Sequence, residues 1–326
     1  MDNKFVKQVK RMLNPIDVGA MHLIQKLNGS LPVKIQKKLI KGTADKFPNM
    51  AFVVEPYSYF LCYELTNLEK AKDYLPDGFK LAKSKIFEND EEKYYGIFGV
   101  FNANTSGFFG LRVEFYIIAE NQHTGLLSWI IVDYDTNTIS YDPKFGLRSA
   151  NASDSLFTID YDGIIHADVN NNNHIRKLIF NSNIKGGQLK KLSQRLWIEG
   201  NLSIAYSKLL SDSVENMSLK FNPDEFRQAL DIPLSDLEVI SNNWFKDIIN
   251  DKVDAALCFP YAQHFLSDSP LAFSDIRTEE EMENAIKTID LDNLKSFSSK
   301  PIVKMMKIGF IISMITTLIL LHFAIT

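Results

Sequence analysis

The side chains with the clearest capacity for chemistry sit two residues apart. Arg112, Glu114 and Tyr116 fall inside the run LRVEFYIIA, residues 111–119, where Leu111, Val113, Phe115, Ile117 and Ala119 take the alternate positions. A period of two puts successive side chains on opposite faces of a strand, so the three polar residues share one face. A guanidinium, a carboxylate and a phenol together can hold and polarise a small ligand. The competing reading is a structural ion pair on a wet strand face. His166, Asp168 and His174 make a second constellation, H-x-D-x5-H. His166 and Asp168 share a face, as metal binding needs, but no third strong ligand accompanies them, and no metal is expected. No Gly-x-Ser-x-Gly elbow marks a serine nucleophile. Gly186-Gly187 is a lone glycine pair rather than a phosphate loop, and no cofactor is expected.

These groups need a scaffold, and the block 111–150 supplies its centre. It reads as three consecutive strands: 111–119, then 126–134 after a turn at 122–125, then a third that ends at Asp142-Pro143. The first two are expected to pair antiparallel, with Phe115, Ile117, Trp129, Ile131 and Ile139 buried. Further strands are expected at 57–63, 80–87, 93–101, 155–161, 164–169, 174–180, 195–199, 202–206 and 217–221. Asp162-Gly163 is a strong hairpin signal between two of them. Asn222-Pro223-Asp224-Glu225 has the N-cap, N1 proline and N3 glutamate of a helix start. Many short strands with few helices between them indicate a mainly β, α+β chain, an antiparallel sandwich or barrel rather than a doubly wound sheet.

Four motifs in this order resemble the acetoacetate decarboxylase-like superfamily, and its uncharacterised YqjF-like branch most closely. They are Leu75-Pro76-Asp77-Gly78-Phe79; Leu111-Arg112-Val113-Glu114; the run from Thr124-Gly125 through Trp129 to Asp133-Tyr134-Asp135; and Asp142-Pro143-Lys144-Phe145-Gly146-Leu147. The similarity covers about residues 50–270. It implies a closed antiparallel β-barrel with a central cavity, and a ligand-facing acid near Glu114. Arg112, Glu114, Tyr116 and Trp129 are the expected ligand-binding residues. In the decarboxylases a Pro-Lys-Lys segment supplies the Schiff-base lysine and a neighbour that lowers its pKa; general treatments of amine activation use that enzyme as their example. Here Pro143 and Lys144 match, but Phe145 replaces the second lysine, and the acid expected upstream falls near Thr138. Lys144 is therefore a weak catalytic candidate, with a surface lysine after a turn as the competing reading.

The two ends differ from the middle. The net charge of −4 divides into +7 for residues 1–48, −15 for 49–294 and +4 for 295–326. An acidic body argues against a nucleic-acid groove, and basic ends suit an anionic membrane surface. Residues 1–48 read as basic amphipathic helices, docked on the domain or lying on lipid. The barrel is expected over 49–273, a polar helix and tether over 274–304, and a transmembrane tail anchor over 305–326, whose residues 308–326 carry no formal charge. Lys300, Lys304 and Lys307 before that tail predict a single-pass membrane protein with a cytoplasmic main domain. Cys62 and Cys258, the only cysteines, are no disulfide framework. The expected function is a membrane-anchored barrel binding a small apolar or keto-acid-like molecule, with catalysis and oligomeric state left open. The alternatives are a Schiff-base decarboxylase or lyase using Lys144, and a membrane-tethered protein-interaction scaffold whose barrel is filled with side chains.

Overall fold

The structure is a computed structural model of the 326-residue chain. It describes residues 3–213, 216–267, 276–300, 304, 307–308 and 311–317. Three helices open it: α1 (Asn3–Arg11), α2 (Pro15–Asn28) and α3 (Val33–Lys46). Pro15 and the side chain of Asn14, which accepts from the Ile16 amide at 3.0 Å, stop one helix and start the next. Then come β1 (Met50–Val54), β2 (Ser58–Glu64), α4 (Leu68–Lys72), β3 (Phe79–Leu81) and the long strands β4 (Tyr95–Thr105), β5 (Phe109–Asn121) and β6 (Leu127–Thr136). β7 (Ser140–Asp142) and β8 (Gly146–Arg148) form a separate hairpin. β9 (Leu156–Ile159), β10 (Ile164–Asn170) and β11 (Lys177–Asn183) are followed by β12 (Gln188–Lys191), β13 (Ile204–Tyr206), β14 (Asn216–Met217), β15 (Leu219–Phe221) and β16 (Gln228–Asp231). β17 (Leu237–Asn242), β18 (Ala255–Phe259) and β19 (Gln263–Ser267) complete the strands, and a helix, Glu279–Thr288, starts on a capping box of Thr278 and Glu281.

β5 and β6 pair antiparallel, as the alternation of the central block predicts, and a register shift between Phe115 and Tyr116 interrupts the ladder. The large sheet runs β12-β16-β18-β2-β4-β5-β6-β13-β14, and β17-β11-β10-β9 form a second sheet. The expected closed barrel is corrected by this path, which has two unjoined ends. The cause lies in β4, which shares one edge between β2, over Tyr95–Val100, and β1, over Ala103–Thr105. The sheet therefore branches instead of closing.

Both faces of the large sheet are covered. Tyr59, Phe98, Phe115 and Ile130 pack on one side with Ile165 and Phe180 of the second sheet. Phe60, Ile97, Trp129 and Phe259 pack on the other with Trp197, and with Phe5, Val9 and Met12 of α1. Burying both faces turns β2 into a continuous apolar run instead of an alternating one. The stretch 195–199, expected as a strand, is a π-helix in which Leu196, Trp197 and Ile198 are buried in succession. An apolar run of that length has no period to tell helix from strand. The helix start at Asn222 caps only a short 3-10 turn, Pro223–Phe226.

The membrane reading is corrected as well. Among the described residues no helix is long and apolar enough to cross a membrane, so the transmembrane helix and the single-pass, tail-anchored placement with a cytoplasmic main domain are withdrawn. Within the expected anchor, 305–326, the longest described helical stretch is 311–317. Residues 305–306, 309–310 and 318–326 of that expectation lie outside the described residues.

Candidate functional site

The alternation of β5 sets Arg112, Glu114 and Tyr116 in a row on one face, all three buried. Glu114 is the hub: one carboxylate oxygen accepts from Arg112 Nε and the other from Tyr116 Oη. The Arg112 guanidinium lies over the ring of Tyr134, 4.1 Å from its centroid. Tyr134 Oη and Ser140 Oγ are 3.1 Å apart, which ties this ring to β7. Burial disfavours charge on Arg112, and Glu114 with the Tyr134 and Tyr206 phenols outweighs it, so its pKa rises and the guanidinium stays charged. Burial, then the Glu114 carboxylate, pushes Tyr116 well up, so its phenol keeps its proton and donates. Nη1 and Nη2 of Arg112 make no hydrogen bond to the described residues, and the side chain keeps 10% of its surface open.

Trp129 stands behind Tyr116, rings edge to face with centroids 5.0 Å apart. Its Nε1 donates to the Leu196 carbonyl at 3.3 Å. A Cβ at position 200 would lie 1.9 Å from that nitrogen, so only Gly200 lets the π-helix end this close. Phe60 and Trp197 enclose the indole further. Of the four expected ligand-binding residues, three form one bonded cluster, and Trp129 buttresses it from the aromatic core.

Lys144 sits elsewhere, at the tip between β7 and β8. Asp142 Oδ1 accepts from the Lys144 and Phe145 amides, each at 2.8 Å, and the Lys144 amide is also 3.0 Å from the Leu210 carbonyl. Gly146 takes φ +77°, the left-handed turn that closes the tip. Lys144 Nζ faces Asp212 at 3.0 Å with its side chain one-third exposed (34%), and Phe145 points outward. The hairpin is held from behind by α3, where Gln36 Oε1 accepts from the Leu147 amide at 2.9 Å. His166 is bound on the second sheet by Asp160 and Asn181, 3.1 and 3.0 Å away.

Two partners escape a reading of β5 alone. One is Tyr134, the floor beneath Arg112. The other is a second arginine: Arg176 reaches from the second sheet to Asp133 and Asp135 of β6, with Trp244 at 4.6 Å from its guanidinium. Burial pushes the Asp135 carboxyl up to about 6, with Arg176 opposing. The alternation Asp133-Tyr134-Asp135 was the available signal, since it sends Tyr134 to one face of β6 and the acids to the other.

The chain matches no family model and no curated protein sequence. Solved structures similar to it include acetoacetate decarboxylases and a decarboxylase-like enzyme. One is acetoacetate decarboxylase from Legionella pneumophila subsp. pneumophila str. Philadelphia 1, with TM-score 0.43 and 10% identity, over 66% of this chain and 84% of that one. Another is an acetoacetate decarboxylase-like enzyme from Sphingomonas wittichii RW1, with TM-score 0.40 and 9% identity, over 68% and 91%. A third is the enduracididine biosynthesis enzyme MppR with HEPES bound, with TM-score 0.42 and 7% identity, over 68% and 85%. The first two carry the name of the superfamily that the four motifs resemble. At such identities and TM-scores they carry no argument about chemistry, which rests on the side chains.

Proposed function

We propose that this chain is a lyase acting on a small oxo acid, which Arg112 holds by its carboxylate. One observation carries the reading: a buried guanidinium whose Nε is committed to Glu114 while its two Nη groups make no hydrogen bond to the described residues. A buried charge with a purely structural role is hydrogen-bonded throughout. Nη1 and Nη2 form the planar fork that matches a carboxylate. Glu114 at Nε and Tyr134 beneath the plane fix that fork before a ligand arrives, which reduces the ordering cost of binding.

The lyase class is supported by the motif resemblance to decarboxylases. An arginine stabilises the carboxylate it holds, however, and so opposes the departure of that same group as CO2. Cleavage is therefore expected as a retro-aldol step on a substrate with a hydroxyl β to its carbonyl: the hydroxyl loses its proton, the Cα–Cβ bond breaks, the Cβ fragment leaves as an aldehyde or ketone, and the enolate left on Cα takes the proton back. Glu114, with Tyr116 on its second oxygen, is the group placed to exchange the proton. The second reading is a Schiff base on Lys144. It needs a neutral amine, whereas Lys144 ion-pairs with Asp212.

Calorimetric titration with pyruvate and with acetoacetate tests both. Saturable binding that weakens at least tenfold in Arg112→Lys, a variant that keeps the charge and loses the fork, is the expected result. Lys144→Arg should bind as the unsubstituted protein does. Equal affinity in Arg112→Lys, or for the methyl ester of the acid, would sink the carboxylate reading. A stoichiometric adduct on Lys144 after borohydride reduction would move the chemistry to the second reading.

A further inference from the structure

We propose that the groove along α3 binds a single-chain anionic amphiphile, a long-chain carboxylate whose tail lies on the helix and whose acid meets its lysines. The groove encloses about 730 Å³ between α3, Phe47 and Phe297, within the range of about 300–1,000 Å³ typical of small-molecule sites. Ile35 and Leu39, one helical turn apart, line its wall and are each 47% exposed. Phe47 and Phe297 close one end edge to face, their centroids 6.1 Å apart. Gly42 lies between, and a Cβ there would meet nothing within 4 Å, so the floor is open at mid-helix. An apolar groove lined by Ile35, Leu39, Phe47 and Phe297 on an otherwise charged helix fits a chain, not a polar metabolite.

The charge on the rim decides the head group. Lys34, Lys38 and Lys46 line the same groove. Among the described residues none of them has a carboxylate within ion-pair distance, whereas Lys4 of α1 pairs with Asp292. Lys34 and Lys38 are four residues apart on the helix, where like charges repel. An anion at the mouth relieves that repulsion, and a neutral head group does not. Residues 1–48 carry +7 against −15 for residues 49–294, so the field favours an anion at this end of the molecule. The site is separate from Arg112 and does not rest on the oxo-acid reading.

The test is fluorescence titration of the full chain with dansyl-undecanoate, and with the same probe capped as an amide. A saturable blue shift with the acid, at least tenfold weaker with the amide, is expected. Gly42→Leu fills the floor without altering charge and adds a good helix former, so the fold is spared. It should abolish the shift. Lys34→Gln, Lys38→Gln and Lys46→Gln together should bring the acid down to the affinity of the amide. Arg112→Lys should leave the titration unchanged. Equal binding of acid and amide, or a shift that survives Gly42→Leu, overturns the proposal. So does co-sedimentation with phosphatidylglycerol vesicles in the absence of any monomer binding, which would make the face a lipid-surface contact instead.

Discussion

Two arginines lie against opposite faces of β6, and each stacks its guanidinium on an aromatic ring. Arg112 rests on Tyr134, and Arg176 on Trp244. They differ in which nitrogens the protein occupies. Arg176 gives Nη1 to Asp133 and Nη2 to Asp135, so its fork is closed by carboxylates of its own chain. Arg112 gives only Nε, to Glu114, and its two Nη groups make no hydrogen bond to the described residues. A closed fork joins the second sheet to the first. An open fork held in the same way is what the oxo-acid proposal takes as the receptor for an acid. Stacking is common to both, while Arg112 is buried and Arg176 half-buried; under the proposal the occupancy of Nη separates them.

The contrast makes unequal predictions. The largest effect should follow Arg176→Met, which strands Asp135, whose side chain is fully buried, beside Asp133. Breaking a fully buried pair by removing one partner costs roughly 3–5 kcal/mol; with Arg176 and Asp133 each about a quarter exposed, the loss of unfolding free energy in urea should lie at the lower end of that range. Affinity for oxo acids should not move beyond what the lost stability explains. If Arg176→Met instead removes ligand binding at preserved stability, the two arginines have been assigned the wrong way round.

The next effect is in pH. Asp135 has its folded pKa raised to about 6 by burial. Between its ordinary carboxylate range and about 6 the folded state binds more protons than the unfolded state, so stability falls as pH rises through that window. The size is on the order of 3 kcal/mol, at about 1.4 kcal/mol per unit. Unfolding of the wild type and Asp135→Asn, compared from pH 4 to pH 7, should show that limb only in the wild type. A limb of equal slope in both proteins would place the titrating group elsewhere.

Smaller again is Arg112→Lys, whose tenfold loss of carboxylate affinity corresponds to about 1.4 kcal/mol. Its thermal stability should drop less than that of Arg176→Met, since a lysine still pairs with Glu114. Smallest is Lys144→Met. It removes an ion pair with Asp212, which is itself largely exposed, and exposed pairs contribute about 0–1 kcal/mol. Stability and oxo-acid affinity should both stay within error; a lost turnover with intact binding would instead restore Lys144 to the chemistry.

The open fork was legible in part from the sequence, because it depends on local periodicity. Alternation in 111–119 placed Arg112, Glu114 and Tyr116 on one face, and a turn at 122–125 brought β6 back antiparallel, burying Phe115, Ile117, Trp129, Ile131 and Ile139. Two residues on one strand face meet wherever that strand goes. Nothing local recorded the rest. Arg176 lies 43 and 41 residues from its two aspartates, and only the docking of the second sheet selects them. Lys144 meets Asp212 through a loop that passes the hairpin tip. The aromatic cluster around Trp129 forms because the stretch 195–199 winds into a π-helix, and its unbroken apolar run could equally have been a strand. Closure failed for the same reason. Whether strands complete a ring depends on how edges far apart in the chain are shared, and β4 shares one of its edges between β1 and β2. Side-chain period is a property of a few consecutive residues and can be read from them. Edge sharing, sheet docking and the choice of ion-pair partner are settled only when distant segments compete for the same surface.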